Sequence, residues 1–500
     1  MMMWRIGSAP APHNLIKRIG GLALVLSLAL AAGCAKNPVT GKRELSLVSS
    51  NDELAMGREG HQAIIAEYGI YDDPAVTAYV DSVGHRLARV SHLPNLEWHF
   101  TVLDDPVVNA FALPGGYIYI TRGILAYLNS EAQLAGVLGH EIGHVTARHS
   151  AKQVTNQQLA GLGLGLATVF SKTFSRYSQA AQQGLGLMFL KYGRDDENQA
   201  DQIGVDYSTK AGYDPRAIPG TYHMLARVSE KGGQRLPSYL SSHPDPGDRQ
   251  QRTTQLAAAA AGTREDLMIR GEPYLEHVDG IVYGQNPEQG YFEGTRYVHP
   301  QLAFEITFPS GWECGDKKTA VVAVAPEERA AMQLTLAQNA TGSPSAYVAE
   351  LQQSGKVTSA NGRSETIHGL PAWVGRLQVT AQDGSPRTLA AAFIQATAAG
   401  ETRLFQVLGQ TGQAGDTDEQ AILTSARSFK RVTDTNALNV EPDRVKVVTL
   451  PKDGSFGVLV PSLGPQAIDL DETAILNDKQ VNDPLQGGSE LKIVKSGRSA

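Results

Sequence analysis

Apolar residues recur at helical spacing over Glu53 to Tyr68, Pro74 to Val90, Ser130 to Gln153 and Asp195 to Lys210, the last ahead of the break Gly212-Tyr213-Asp214-Pro215, and predict helices there. Trp98 to Leu103 and Tyr117 to Thr121 alternate instead and read as strands, the second following Pro114-Gly115-Gly116. Residues 51–262 are therefore expected to form an α+β unit, mainly helical with a small sheet. Residues 263–294 read as a linker, ending in the run Gly284 to Gly294, rich in Gly, Asn, Gln and Pro. Beyond it the pattern turns to short strands such as Phe304 to Phe308 and Arg403 to Val407, with helices predicted at Pro344 to Gln353 and Thr417 to Phe429. This predicts a second α+β domain over 295–434 and a small C-terminal domain over 435–500. No helical repeat of about 34 residues recurs, which excludes a tetratricopeptide array.

The start of the chain is patterned differently. No Asp or Glu precedes Glu44, while Arg5, Lys17 and Arg18 precede the uncharged stretch Ile19 to Ala35. A positive segment followed by a short apolar one is the pattern of an export signal, and the stretch is short for a membrane span of about 20 residues. It ends in Ala31-Ala32-Gly33-Cys34, which resembles a bacterial lipobox. Removal of residues 1–33 and lipidation of Cys34 are expected; the alternative is an ordinary export signal with an incidental cysteine. Ala35 after the cysteine, by its resemblance to lipoprotein sorting signals, implies the outer membrane. Residues 34–50, with Pro38, Gly41 and no apolar period, read as a tether that lets the next domain stand off the bilayer.

Composition narrows the function class. A net charge of −7 gives no diffuse positive field, so nucleic acid is not an expected partner. There are 2 cysteines, Cys34 and Cys314, too few for a disulfide framework.

The chemistry concentrates in His140-Glu141-Ile142-Gly143-His144. Residues four apart on a helix differ by about 40° in direction, so both imidazoles can reach one metal ion, with Glu141 near it as a general base. Ser130 and Gln133 have capping-box spacing, and Leu134, Leu138, Ile142 and Val145 share a core face, so the motif falls inside a helix. Further on, Glu197 and Asp201 are also four apart. His, His and Glu with an open fourth position form a catalytic zinc set, and Asp201 can hydrogen-bond a ligand imidazole. The alternative is a solvated acidic face beside Asp195 and Asp196. His149, nine positions from His140, points to the opposite side of a continuous helix and reads as packing or surface. The other histidines default to structural roles. The Gly-rich stretch Leu159 to Phe170, echoed by Gly184 to Leu190, is either a mobile flap or a buried helical hairpin.

Residues 52 to about 255 resemble the zinc metalloprotease family that includes BepA-like and HtpX-like proteases and the CAAX prenyl endopeptidases. The resemblance is carried by Asn109-Ala110-Phe111-Ala112-Leu113-Pro114-Gly115-Gly116, by the HExxH helix, by Glu-x-x-Ala-Asp at Glu197 to Asp201, and by His243-Pro244 followed by Arg249. It implies one zinc ion per chain held by His140, His144 and Glu197, with Glu141 as catalytic glutamate and Asp201 behind the ligands. It places His243 and Arg249 at the rim, where the histidine either stabilises an oxyanion or caps the zinc in a latent state. An extended substrate is expected to add to the strand at Tyr117, Ile118 and Tyr119, with Asn109, Gly115 and Gly116 beside its backbone.

Residues 297–433 resemble a PsbP-like fold, and 445–494 a divergent LysM module in which Asp453-Gly454-Ser455 replaces the usual Gly-Asp-Thr. LysM modules bind N-acetylglucosamine polymers, which makes peptidoglycan a candidate partner; a small structural cap is the alternative. The combined expectation is an outer-membrane lipoprotein facing the periplasm, a zinc endopeptidase acting on unfolded or misassembled envelope polypeptides. Readings from other classes are a holdase or assembly adaptor with a latent zinc site, and a peptidoglycan-tethered scaffold. Oligomeric state is not legible in the sequence.

Overall fold

The computed structural model describes residues 34–163, 192–231, 239, 243, 246–337, 340, 342–381, 384–398, 400–411 and 417–497. The leader, most of the 159–170 stretch and all of 184–190 lie outside them. Strands β1 (Cys34–Lys36) and β2 (Arg43–Leu45) form an antiparallel hairpin. Helix α1 (Ser50–Tyr68) starts from a capping box, the Ser49 hydroxyl accepting from the Asp52 N–H and the Asp52 carboxylate from the Ser49 N–H. Helix α2 (Pro74–Arg89) starts from Asp73, with Pro74 in the first turn where no N–H is needed.

A small sheet follows, of β3 (His99–Leu103), β4 (Ala110–Leu113) and β5 (Tyr117–Thr121). Its order is β3-β5-β4, with β5 parallel to β3 and antiparallel to β4. Helices α3 (Arg122–Tyr127), α4 (Glu131–Thr146), α5 (His149–Gly163), α6 (Arg194–Lys210), α7 (Ile218–Lys231), α8 (Pro246–Ala261) and α9 (Gly271–Val278) complete this part. Ser130 caps α4 by accepting from the Gln133 N–H, and every residue of α4 is buried.

The contact that positions the site is α4 against α6, and glycines make it. A Cβ on Gly204 of α6 would lie 3.0 Å from the His140 backbone nitrogen, and one on Gly139 of α4 would lie 3.1 Å from the Gly204 carbonyl oxygen. With hydrogen at both positions, the helices approach closely enough for side chains of α6 to reach the HExxH face.

The second region holds a four-stranded sheet, ordered β16-β8-β7-β6, from β6 (Tyr291–Glu293), β7 (Arg296–His299), β8 (Phe304–Thr307) and β16 (Lys430–Arg431). Beside it stands an antiparallel seven-stranded sheet ordered β12-β13-β14-β15-β11-β10-β9. Its strands are β9 (Glu313–Lys317), β10 (Ala320–Val324), β11 (Ala330–Leu336), β12 (Ser359–Ile367), β13 (Leu370–Thr380), β14 (Pro386–Ala398) and β15 (Glu401–Thr411). Helices α10 (Pro344–Gln353) and α11 (Thr417–Arg427) pack on this sheet. The α+β class expected for both regions is what the structure has. The C-terminal module pairs β17 (Arg444–Thr449) with β20 (Glu490–Lys495) and β18 (Gly454–Ser455) with β19 (Pro484–Leu485) around α12 (Phe456–Ser462) and α13 (Leu470–Leu476).

Two segments expected to be connectors are packed structure. The 34–50 tether is the β1–β2 hairpin docked on the HExxH region: Asn37 Nδ2 donates to the Ala147 carbonyl at 3.1 Å, and the Leu47 N–H to Thr155 Oγ1 at 3.1 Å. The 263–294 linker contains α9 and β6, and its Tyr274, Val278, Ile281 and Val282 belong to the main core. In both, the polarity of the segment hid a few apolar or hydrogen-bonding anchors.

The C-terminal module shares that core through Val445, Ile475, Leu476 and Val494. Lys492, 0% exposed, donates from Nζ to the carbonyls of Ala126 and Leu128, each at 2.6 Å, where α3 ends. Burial pushes the Lys492 amine well below the ordinary lysine pKa, and its N–H groups need such acceptors, because an unpaired polar group in the interior is costly. Among the described residues, no helix is long and apolar enough to cross a membrane.

Gly204→Ala forces α4 and α6 apart. Overpacking of this kind costs about 1 to 3 kcal/mol, so the urea midpoint should fall accordingly.

Candidate metal centre

His140, Glu141 and His144 project from the middle of α4, and Glu197 and Asp201 from the first two turns of α6. The first turn of α6 carries Asp195, Asp196 and Glu197, acidic side chains that suit the positive end of a helix. His243 follows Tyr239, to whose carbonyl its N–H donates at 2.9 Å, and Arg249 lies on α8.

Four donor atoms converge. His140 Nε2 lies 2.9 Å from His144 Nε2, 3.3 Å from His243 Nδ1 and 3.5 Å from Glu197 Oε2. Glu197 Oε1 lies 3.6 Å from His144 Nε2 and 2.9 Å from His243 Nδ1. Ligands about 2.0 to 2.1 Å from a tetrahedral zinc ion are separated by about 3.3 Å, so this spacing and this His and carboxylate chemistry fit zinc. Glu141 supplies a second observation: it is 0% exposed, and neither carboxylate oxygen has a hydrogen-bond partner among the described residues. His243 Nε2 lies 3.7 Å from Glu141 Oε1.

Behind the donors lies a charge network. Asp201 Oδ1 is 3.0 Å from His140 Nδ1. Arg249 donates to Asp201 Oδ1 at 2.6 Å and reaches Glu197 Oε2 at 2.9 Å, and Tyr222 donates to Asp201 Oδ1 at 2.7 Å. The Arg249 guanidinium also lies 4.5 Å from the centre of the Tyr222 ring. Arg252 pairs with the remaining Asp201 oxygen.

The electrostatics follow from this packing. Burial pushes the Glu141 carboxyl up, only partly offset by His243. Burial would raise Glu197 too, but His243, His140 and Arg249 hold it well below the usual carboxylate range. For His140, burial and the Arg249 charge push down, while hydrogen bonds to Asp201 and Glu197 win and raise it to about 9. Burial and the neighbouring His140 hold His144 well below an ordinary histidine. The carboxylates thus make a place that favours positive charge, beside an imidazole kept neutral for metal binding.

The sequence-predicted donors therefore meet in one place, and Asp201 stands directly behind His140. Several expectations change. His243 and Arg249, expected at the rim, are 1% and 2% exposed and lie inside the site. Tyr117, Ile118 and Tyr119 belong to the central strand, with β3 on one side and β4 on the other, so no further chain can add there; the edges are β3 and β4, and β4 is the one that packs on α4. Gly115 and Gly116 form the β4–β5 turn with φ +83° and +96°, pressed against Glu53 and Glu97 rather than open to a substrate. Asn109 is buried where β4 begins, its carbonyl accepting from the Thr121 N–H at 3.0 Å.

His149 is the largest departure. The helix predicted to run through to Gln153 stops at Thr146, and Arg148 takes φ +59° before α5 starts. The helical phase counted from His140 is lost at that turn, and His149 comes back against His144, Nδ1 to Nδ1 at 2.9 Å. Two aromatic walls were also not read from the sequence: Tyr192 stacks on His144 with centroids 4.0 Å apart, and Tyr239 on His243 at 4.5 Å. An isolated tyrosine carries no spacing signal.

The profile of Peptidase family M48 matches residues 74–257. The mitochondrial metalloendopeptidase OMA1 of Schizosaccharomyces pombe is 31% identical over 231 residues, 46% of this chain and 68% of that protein. The chain belongs to peptidase family M48. The OMA1 of Arabidopsis thaliana is 36% identical over 192 residues, covering 38% of this chain and 37% of that one. The β-barrel assembly-enhancing protease of Escherichia coli is 28% identical over 249 residues, covering 46% of this chain and 50% of that one. The chain thus spans about half or less of the length of several curated relatives it matches. Among solved structures, cyanobacterial PsbP from Synechocystis gives a TM-score of 0.22 at 16% identity, over 28% of this chain and 94% of that one. The Saccharomyces cerevisiae Ran-binding protein Mog1p gives 0.22 at 14% identity, over 29% and 99%.

Arg249→Met removes the partner that Asp201 and Glu197 share. Breaking a buried ion pair in this way costs about 3 to 5 kcal/mol, so the denaturant midpoint should drop by a corresponding amount.

Proposed function

We propose that this M48 peptidase is a zinc metalloendopeptidase of the bacterial envelope, anchored to the outer membrane through a lipid on Cys34 and facing the periplasm, and that it hydrolyses misfolded or stalled envelope polypeptides. The observation that carries the catalytic part is the Glu141 carboxylate, buried without a hydrogen-bond partner among the described residues and beside four converging donors. A zinc ion held by His140, His144 and Glu197 would supply a Lewis acid that polarises a peptide carbonyl and acidifies water. Glu141 then accepts the proton of the attacking water and returns it to the departing amine. Burial supports this role, since a carboxyl whose pKa is raised is a stronger base than an ordinary carboxylate. The Asp201 carboxylate holds the Nδ1 proton of His140, which leaves Nε2 free for metal. Main-chain recognition of the substrate is assigned to the edge strand β4.

The cellular part rests on the leader, on the lipobox-like Ala31 to Cys34, and on the likeness to the β-barrel assembly-enhancing proteases. Peptidoglycan binding by the C-terminal module is the less supported reading of that module. The turn after α13 is engaged within the chain: Asp478 Oδ1 lies 2.7 Å from His223 Nδ1, and the Lys479 carbonyl accepts from Arg227 at 2.8 Å. This favours the structural cap.

One observation favours a second state of the same site. His243 Nδ1 lies among the donors, and four protein donors leave no position for substrate, the arrangement of a closed zinc site. In this latent reading His243 must withdraw before hydrolysis, and a holdase or adaptor role belongs to the closed form.

Glu141→Gln should retain about one zinc per chain while casein cleavage falls by about 10²- to 10⁴-fold, the usual worth of general acid–base catalysis. Undiminished cleavage overturns the mechanism. His243→Ala should speed casein cleavage if the histidine is a cap; slower cleavage returns it to an oxyanion role.

A further inference from the structure

We infer that His149 is a positioning residue for the metal site: it receives the Nδ1 proton of His144 and so fixes which nitrogen of that ligand, and which ring plane, faces the ion. The inference rests on the zinc-peptidase reading above and concerns a residue outside the donor set.

His149 is 1% exposed, and its Nδ1 lies 2.9 Å from His144 Nδ1. Two imidazole nitrogens facing each other at that distance share one proton, which one ring donates and the other accepts. The rest of the chain decides the direction. His144 Nε2 points at His140 Nε2 and Glu197 Oε1, so it must present a lone pair to a metal ion, and the His144 proton then sits on Nδ1. His149 Nδ1 must accept it. The His149 proton is therefore on Nε2, and what faces Nε2 is an acceptor: Gln199 Oε1 at 3.0 Å, with the Asp196 carboxylate at 3.8 Å. Asp196 accepts from Lys152 at 2.6 Å and Gln153 at 3.0 Å on α5, so the acceptor end is itself held in place.

The two ligand histidines of α4 are thus supported from the same helix by different means. Asp201 of α6 meets His140 Nδ1 directly. For His144, one turn further along α4, α6 provides Gln199 and Asp196, and His149 spans the gap. The Arg148 turn at φ +59° makes this possible, and it is fastened by its own side chain, which donates to the Glu53 carboxylate at 2.9 Å and to the Val48 carbonyl at 3.0 Å. At a site this buried, no bulk water stands in for the missing acceptor.

The test is zinc affinity of the full chain by competition with a chromophoric chelator, together with the visible spectrum of the cobalt-substituted protein and the thermal midpoint of the chelated protein. His149→Phe keeps the ring and removes the acceptor; His149→Asn places an oxygen where Nδ1 stood. Loss of an outer partner of a ligand histidine typically weakens metal binding about 10- to 100-fold, which is the fall expected for Phe, with a shifted cobalt spectrum. Asn should recover most of the affinity and the wild-type spectrum. Wild-type affinity and spectrum in His149→Phe overturn the inference, as does Asn being no better than Phe. If Phe does not fold, Gln199→Leu replaces it, with a smaller fall expected and no change overturning the proposal. A wild-type chain that binds no zinc refutes the metal reading itself, a separate result.

Discussion

Two carboxylates one turn apart on α6 are buried against the helix that bears the histidines, and the arrangement of the site follows from their need for positive partners. Glu197 and Asp201 are 2% exposed each, and isolated charges so placed are costly. They are compensated from two sides, by histidines of α4 and by Arg249 of α8. The glycine contact between α4 and α6 makes this compensation possible, because any larger residue at Gly139 or Gly204 holds the carboxylates away from the imidazoles. Tyr222 and Tyr239 close the network, so that α7, α8 and the segment carrying His243 are all held to the same two side chains.

The surrounding architecture is more continuous than a chain of modules. The N-terminal hairpin is bonded to the end of α4, the stretch between the first and second regions contributes Tyr274 and Val278 to the main core, and the C-terminal strands complete that core. A helix that is buried along its whole length, as α4 is, needs such cover on every side. The accessory regions supply part of it.

The site was more legible in the sequence than its surroundings. HExxH and Glu-x-x-Ala-Asp are each read within one helix, where a spacing of four fixes the relative direction of two side chains. That His243 and Arg249 belong to the same place came from resemblance, and no rule of periodicity supplies it. Extrapolation failed where the chain leaves regular geometry: the left-handed Arg148 turned His149 from the far side of a helix to the back of a ligand. Strand order was not legible either, because Tyr117 to Thr121 alternates in the same way whether it lies at an edge or between β3 and β4. Segments that looked polar enough to be connectors were docked by single residues, such as Asn37, that leave no pattern.

The buried Lys492 has a consequence for how the protein matures. Its bonds to Ala126 and Leu128 join positions 366 and 364 residues apart. Contacts of that range form late, after local helices and hairpins, and only once both partners have been synthesised. The core around the HExxH helix is thus closed by a strand that lies far from it along the chain. Until β20 docks, the helix that bears the metal-binding residues stands in an unfinished core.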